Sequence, residues 1–287
     1  MTSPPPLMIE ARRALLDVLE ALRDHLPSLV LVGAQAVYLR TDEVDLSFTS
    51  SYTTDADLTV DPRTLADRPP LTEAMEGAGF ARTQPDRPGI WGRPVDVDGR
   101  GDDSVSVDLI VPEALAGPGR RGARLAGHGK QAAGRAHGLE AALVDRSPMS
   151  IHSMDPADAR AIDVDVAGPT ALLVAKLHKV GERVAGAGGR PDRILIKDGA
   201  DLYRLMLHLR VPAAIERLDA LLDDPMAGPA TREAVGYVRN LFGAPVAAGV
   251  RLAVEGLAAD VPRDRVEAVC VGFARSVLEG LAPRIDS

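Results

Sequence analysis

Cysteine is almost missing: Cys270 is the single one in 287 residues. That excludes an intrachain disulfide framework and any Cys-rich zinc centre, leaving Cys270 as a small core residue of the last helix. Aromatic residues are scarce as well, with one Trp, four Tyr and four Phe. Binding RNA through rows of stacked bases is disfavoured on that ground. No apolar run approaches membrane-spanning length, because Arg251 and Glu255 interrupt the longest candidate. The opening MTSPPPLMIEARR has no basic-then-apolar leader, so a soluble, cytoplasmic protein with no membrane partner is expected. Basic residues number 33 against 41 acidic ones, a formal charge of −8, with an isoelectric point near 5.3. A uniformly basic nucleic-acid coat is thereby excluded.

Lysine is the other shortage. Lys130, Lys176, Lys179 and Lys197 are the four lysines among the 33 basic residues, leaving 29 arginines. Three of the four fall within 176–197. In an arginine-rich chain this clustering reads either as composition drift or as a need for compact ammonium groups in that window.

What is present suits an ordinary globular protein. Hydrophobic residues make up 46% and charged residues 26%, enough for one large or two modest domains. Leu15, Leu16, Leu19, Leu22 and Leu26 recur at helical spacing over 8–26, a segment that stops at Pro27. A short buried strand over 29–32 then runs into Gly33-Ala34-Gln35-Ala36-Val37, whose small residues suit a tight strand-to-helix turn. A second strand is expected over 52–60, a helix near 62–78, and a hairpin joining 95–97 to 104–111 across Gly99–Asp103. Residues 114–139 contain no acid but carry Arg120, Arg121, Arg124, Lys130 and Arg135. This stretch reads as a loop or weak helix with a positive local field, or as a solvated insertion. From Pro169 onward helices are expected at 169–184, 198–210, 213–223, 230–242 and 264–280. The division is therefore an α/β domain over 1–167 and an all-helical domain over 168–287.

The densest chemistry is Thr54-Asp55-Ala56-Asp57 on the second strand. Aspartates at i and i+2 share one face of a strand, and adjacent carboxylates repel unless a cation lies between them. Oxygen donors select a hard ion such as Mg²⁺, with Mn²⁺ as an alternative. Asp108 follows in an alternating strand where Val105, Val107, Leu109 and Val111 face the core, leaving it on the opposite side with Ser106. Were the two strands neighbours, three carboxylates would meet on one patch. Such a patch can hold two cations roughly 3.5–4 Å apart for in-line phosphoryl transfer. An isolated pair of nearby aspartates is equally the mark of a solvent-facing edge strand, as expected for Asp42/Asp45, Asp96/Asp98 and Asp163/Asp165. What lifts 55–57 above these is the preceding strand, Gly33, helix and Arg40. Gly33 permits close backbone approach to a phosphate, and a helix N-terminus favours negative charge.

Leu31-Val32-Gly33-Ala34-Gln35-Ala36-Val37-Tyr38-Leu39-Arg40 followed by Thr54-Asp55-Ala56-Asp57 resembles motif I of the polymerase-β-like nucleotidyltransferases. Within them it is similar to the AbiEii-type toxin branch, MenT-like toxins included. Lys176-Leu177-His178-Lys179-Val180-Gly181-Glu182-Arg183 resembles a K-L-x-x-x-x-x-R helix of that branch, and Lys197-Asp198-Gly199-Ala200-Asp201-Leu202 its R/K-D-x-x-D-L helix start. The match covers about 29–205. It departs at Ala34, where many members have Ser, and at the inserted 42–51.

The resemblance implies an α+β fold: a nucleotidyltransferase core of mixed sheet and flanking helices, followed by the helical domain. It implies that Asp55, Asp57 and Asp108 hold Mg²⁺ carrying a nucleoside triphosphate, with Asp108 also activating an acceptor hydroxyl. Gly33, Ala34, Arg40, Thr54 and Arg183 become nucleotide contacts. Lys176 would reach a triphosphate oxygen, and Asp198 would position Lys176 or assist proton transfer; an interhelical Lys176–Asp198 ion pair is the plain alternative. Transfer of NMP to the 3′ end of tRNA, by a toxin with a cognate antitoxin, is the leading expectation. Alternatives are a protein or small-molecule acceptor such as an aminoglycoside, or a catalytically silent binding module. Lys179 and His178 are expected on a helix surface. His25, His128, His137, His152 and His208 show no metal-ligand spacing.

Overall fold

The computed structural model describes residues 4–41, 53–97, 99, 101, 103–186, 193–258 and 260–285. The chain forms two compact units. The first comprises Met1–Ala36, Tyr52–Ala136 and Arg146–Ala167, and the second Val37–Ser51, His137–Asp145 and Gly168–Ser287. The division expected was continuous, 1–167 and 168–287; the units are discontinuous, with two earlier segments grouped with Gly168–Ser287.

The first unit is built on a mixed eight-stranded sheet: β1 (Leu29–Val32), β2 (Asp55–Val60), β3 (Ala81–Arg82), β4 (Ile90–Val95), β5 (Asp103–Pro112), β6 (Gly134–Ala136), β7 (Arg146–His152) and β8 (Ala161–Ala167). Their order is β3-β4-β5-β2-β1-β8-β7, with β6 added beside β5. Strand β1 is buried at every position, which its unbroken Leu-Val-Leu-Val run allows at the middle of a sheet. Strand β5 instead alternates, with Val105, Val107, Leu109 and Val111 fully buried on one face.

Helix α1 (Pro6–Ala21) covers part of the sheet. Its buried residues Ala11, Ala14, Leu15, Val18 and Leu19 recur at helical spacing and pack on β2, β5 and β8. Each fully buried Leu or Val contributes about 1.5–3 kcal/mol. Asp17 on the same helix accepts hydrogen bonds from Arg93 and Arg160, both at 2.7 Å, joining α1 to β4 and to the β7–β8 connection. The α-helix ends at Ala21, earlier than the expected 26, and continues as a 3₁₀ turn over Arg23–Ser28. Pro27 lacks an N–H and its ring crowds the carbonyl four residues back, so the tighter turn replaces the α-helix.

Several local expectations change. The helix expected over 62–78 is confined to α3 (Leu71–Gly77), because Pro69 and Pro70 cannot continue a helical hydrogen-bond ladder. Strand β8 was expected to be an edge through Asp163 and Asp165. It lies between β1 and β7, with Val164 and Val166 buried and Asp163 exposed. The 95–97/104–111 hairpin is present as β4–β5 but starts earlier, pairing Ile90 with Asp108 and Val95 with Asp103; residues 98, 100 and 102 of its turn lie outside the described residues. The acid-free stretch is no solvated insertion. It adds β6 to β5, buries Ala116, Ala123, Leu125, Ala132 and Ala133, and accepts the Trp91 indole N–H on the Ala132 carbonyl at 3.0 Å.

The second unit is helical: α4 (Pro169–Gly186), α5 (Arg193–His208), α6 (Val211–Asp223), α7 (Gly228–Phe242), α8 (Ala248–Gly256) and α9 (Arg263–Ile285). Proline in the first turn of α4, α6 and α7 starts each helix without losing a bond. Helix α2 (Gly33–Arg40) begins in the first unit and ends in the second. Helices α5 and α8 pack closely at Gly199, where a Cβ would lie 2.7 Å from Leu252. Cys270 is buried in α9 as expected, and burial pushes its thiol up to about 12, which keeps it unreactive. Among the described residues no helix is long and apolar enough to cross a membrane.

Trp91 is fully buried between the sheet and the acid-free stretch. Its replacement by alanine is expected to cost about 3–5 kcal/mol through lost burial and a cavity. Urea denaturation followed by circular dichroism measures this.

Candidate functional site

Strand β2 lies between β1 and β5, antiparallel to the first and parallel to the second. In that register Asp57 stands opposite Asp108, and Asp55 opposite Ser106. Ala56, Leu58 and Val60 turn to the buried side, which leaves Asp55 and Asp57 on the other face with Ser106 and Asp108. The Asp55 carboxylate is oriented by two hydroxyls: Ser106 Oγ donates at 2.9 Å and Thr54 Oγ1 at 3.2 Å, both to Oδ1. Asp55 is exposed, Asp57 and Asp108 are half-buried, and Oδ1 of Asp108 is shielded from solvent.

Gly33 is fixed by the same register. Val32 pairs with Asp57, so the next residue passes directly over that carboxylate. A Cβ at Gly33 would lie 1.9 Å from Asp57 Oδ2, and its φ of +70° is in the left-handed region besides. No other residue fits there. Helix α2 starts at this point, with Ala34 buried in its first turn. Gln35, which the sequence reading passed over, donates to the Asp55 carbonyl at 3.3 Å. It is held in turn by the buried Arg12, whose Nε donates to Gln35 Oε1 at 3.0 Å while Nη1 donates to the His152 carbonyl at 3.0 Å. The Arg12–Gln35 pair spans 23 residues and carries no local motif, so only folding reveals it.

A cleft of about 760 Å³ opens beside Asp108, with Ile110, Arg87, Arg120, Arg121 and Arg135 among its lining residues. Arg135 is committed to Glu113, with both carboxylate oxygens at 2.6 Å, and to the carbonyls of Gly117 and Gly119. Arg120 and Arg121 are exposed. The acid-free stretch thus supplies positive charge on the side of the sheet that carries Asp108. No family model, curated protein or solved structure matches this chain.

The donor set of Asp55, Asp57 and Asp108 suits a hard divalent cation, being oxygen-only and anionic. The three are not drawn together tightly. The trio of possible metal ligands found within 4.8 Å of one another among the described residues is a different one, His137, His178 and Glu233. A cation at the aspartates would have to gather their carboxylates.

Lys176 and Asp198 lie in the second unit, and there they meet each other. Lys176 Nζ donates to Asp198 Oδ1 and to Asp201 Oδ2, each at 2.6 Å, with all three residues buried. Lys179 also reaches Asp198, at 3.2 Å from Oδ2. Burial alone would lower the Lys176 ammonium, but the facing carboxylates of Asp201 and Asp198 outweigh it and raise the pKa above the usual lysine value. Burial works to raise Asp198, and Lys176 and Lys179 together pull it below the ordinary aspartate range. Burial, with Asp201 adding to it, pushes the phenol of neighbouring Tyr38 well up. Arg204 closes the cluster, donating from Nε to Thr41 Oγ1 at 2.6 Å and stacking over the Tyr38 ring at 5.4 Å.

The interhelical ion pair is therefore what the structure contains, in place of the Lys176 ammonium expected to be available to a triphosphate. Two of its three donors are spent, and 5% of the residue is exposed. Arg40 is half-buried at the end of α2, and Arg183 is half-buried near the end of α4. The inserted segment 42–51 lies outside the described residues. Lys179 is half-exposed as expected, whereas His178, expected on the surface, is buried.

Replacing Lys176 by Met would leave Asp198 and Asp201 buried without their cation, and a loss of about 3–5 kcal/mol is expected. Asp198 is depressed, so its share of stability is present above the ordinary aspartate range and is lost as pH falls through its folded value. Lys176 is raised, so its share is present below the ordinary lysine value and is lost as pH climbs through its folded value. The stability gap between wild type and Lys176→Met should therefore be widest from neutral pH to about pH 9, narrowing on acidification as the carboxylates left without a cation take up protons, and again as pH climbs past the ordinary lysine value. Urea midpoints measured across pH test this.

Proposed function

We propose that this protein is a Mg²⁺-dependent nucleotidyltransferase that moves NMP from a nucleoside triphosphate to the 3′ hydroxyl of tRNA, as the toxin of a toxin–antitoxin pair. The observation that carries the reading is the register that sets Asp55, Asp57 and Asp108 on one face, with the Gly33 backbone against the Asp57 carboxylate. The motif resemblance supports the reaction class and the physiological setting. The arginine-lined cleft beside Asp108 supports a polyanionic acceptor in a chain whose overall charge is negative.

In this reading the acceptor oxygen attacks the α-phosphorus, the α–β phosphoanhydride bond breaks, and pyrophosphate leaves with the bonding pair. Asp55, Asp57 and Asp108 would hold Mg²⁺, which neutralises phosphate charge and aligns the attacking and leaving oxygens. Asp108 also accepts the proton of the attacking hydroxyl. Ser106 and Thr54 fix the Asp55 carboxylate, while Arg12 and Gln35 hold its backbone. The N-terminal end of α2, beside Gly33, favours phosphate oxygens. Arg120 and Arg121 provide exposed positive charge for the acceptor backbone. Lys176 and Asp198 are paired with one another, and the step written here is routed through the three aspartates.

Incubation with each labelled nucleoside triphosphate, Mg²⁺ and total tRNA tests the reading. Label is expected in RNA with the wild-type protein and should fall by at least about a hundredfold in Asp57→Ala. Absence of label with every nucleotide sinks the tRNA reading. Reversing Arg120, Arg121 and Arg124 to Glu should weaken transfer to tRNA while leaving triphosphate binding intact. Unchanged transfer would remove the cleft from the argument.

A further inference from the structure

The second unit holds a group of side chains that the proposed reaction does not use. One ligand atom each from His137, His178 and Glu233 lies within 4.8 Å of the others. His137 Nε2 is 3.1 Å from Glu233 Oε2. That separation is close to the edge of a tetrahedron with metal–ligand bonds of about 2.0–2.1 Å, which is about 3.3 Å. The two imidazole rings meet edge to face with centroids 4.7 Å apart.

His178 supplies the second, independent observation. It is 1% exposed on α4, and its Nε2 is 2.7 Å from the Ala230 carbonyl. A carbonyl only accepts, so Nε2 carries the proton, and in the neutral ring Nδ1 is left with a lone pair. That Nδ1 is buried and makes no hydrogen bond among the described residues; it faces Glu182 Oε1 at 3.7 Å, beyond bonding range. An imidazole anchored on one nitrogen by a backbone carbonyl, with its other nitrogen bare, is the arrangement metal-bound histidines adopt. His137 is prepared in a related way. Its Nδ1 lies 3.8 Å from Oε1 of the buried Glu140, whose Oε2 accepts the Gly138 N–H at 2.8 Å. The surroundings are anionic: Tyr237, in edge contact with His178, has its phenol raised by burial and further by Glu182 and Glu233. Glu233 and Glu182 are exposed, so an ion has a path in and the carboxylates can swing to meet it.

We propose that His137, His178 and Glu233 form a binding site for a zinc-class divalent cation, which ties the His137–Asp145 segment to helices α4 and α7. Two imidazoles and one carboxylate select Zn²⁺ over Mg²⁺, and three protein ligands leave a fourth position for water. Glu140 orients His137 from behind, and the Ala230 carbonyl does the same for His178.

The test uses the full-length chain, treated with chelator and titrated with Zn²⁺ alone by calorimetry and by competition with a chromophoric chelator. Tight uptake at this site is expected, with a rise in melting temperature. His137→Ala and Glu233→Gln each replace an exposed or half-exposed side chain, so both variants should fold. Each should weaken Zn²⁺ by at least about tenfold. Asp57→Asn serves as the control for binding at the carboxylate patch and should keep this uptake. The proposal is overturned if the wild type takes up no Zn²⁺, or if His137→Ala and Glu233→Gln bind it as tightly as wild type. Loss of uptake in Asp57→Asn with retention in His137→Ala overturns it as well.

Discussion

The arrangement of β2 between β1 and β5 is the constraint on which the first unit depends. Antiparallel pairing with β1 brings Val32 opposite Asp57 and so lays Gly33 over the Asp57 carboxylate. Parallel pairing with β5 brings Asp108 opposite Asp57 and Ser106 opposite Asp55. A slip of one residue in either ladder would send the aspartates toward the buried face and Leu58 and Val60 toward solvent, so burying the valines and leucines enforces the geometry of the acids. Core packing and candidate chemistry are two faces of one strand.

The helical unit is organised around a different constraint, charge that has been taken out of water. Lys176 is tolerable in its interior because two carboxylates meet its ammonium at 2.6 Å. A compact, flexible ammonium can sit between Asp198 and Asp201, where a planar guanidinium would demand a wider, coplanar set of acceptors. This accounts for a lysine at 176 in an arginine-rich chain. The histidine cluster on the same helix follows a parallel logic, since His178 is buried with one nitrogen satisfied by backbone and the other aimed at acidic neighbours.

Local patterns were legible where their period was complete within one element. The alternation of Val105, Val107, Leu109 and Val111 sets Asp108 on the far face whatever strand lies beside it. The helices over 169–184, 213–223, 230–242 and 264–280 correspond to α4, α6, α7 and α9 for the same reason. Strand β7 carries no local strand signal because Pro148 interrupts it, and the alternating acids of Ala161–Ala167 look like a solvent-facing edge although β8 lies inside the sheet. Their strand character comes from pairing with each other and with β1. The acid-free stretch misled because its glycines and arginines suggest solvent, whereas its alanines pack beneath Trp91.

The sequence by itself determined the alternation that separates acids from core on β2 and β5, and the need for a small residue at 33. Each of these depends on residues only a few positions apart, where backbone geometry converts spacing into direction. Only the tertiary structure decided that Asp57 faces Asp108, that Arg12 holds Gln35, that Lys176 is bound by Asp198 and Asp201, and that His137, His178 and Glu233 share one corner. Those partners are separated by 22 to 96 residues. At such distances a contact is chosen by strand register and helix packing, which no local period encodes.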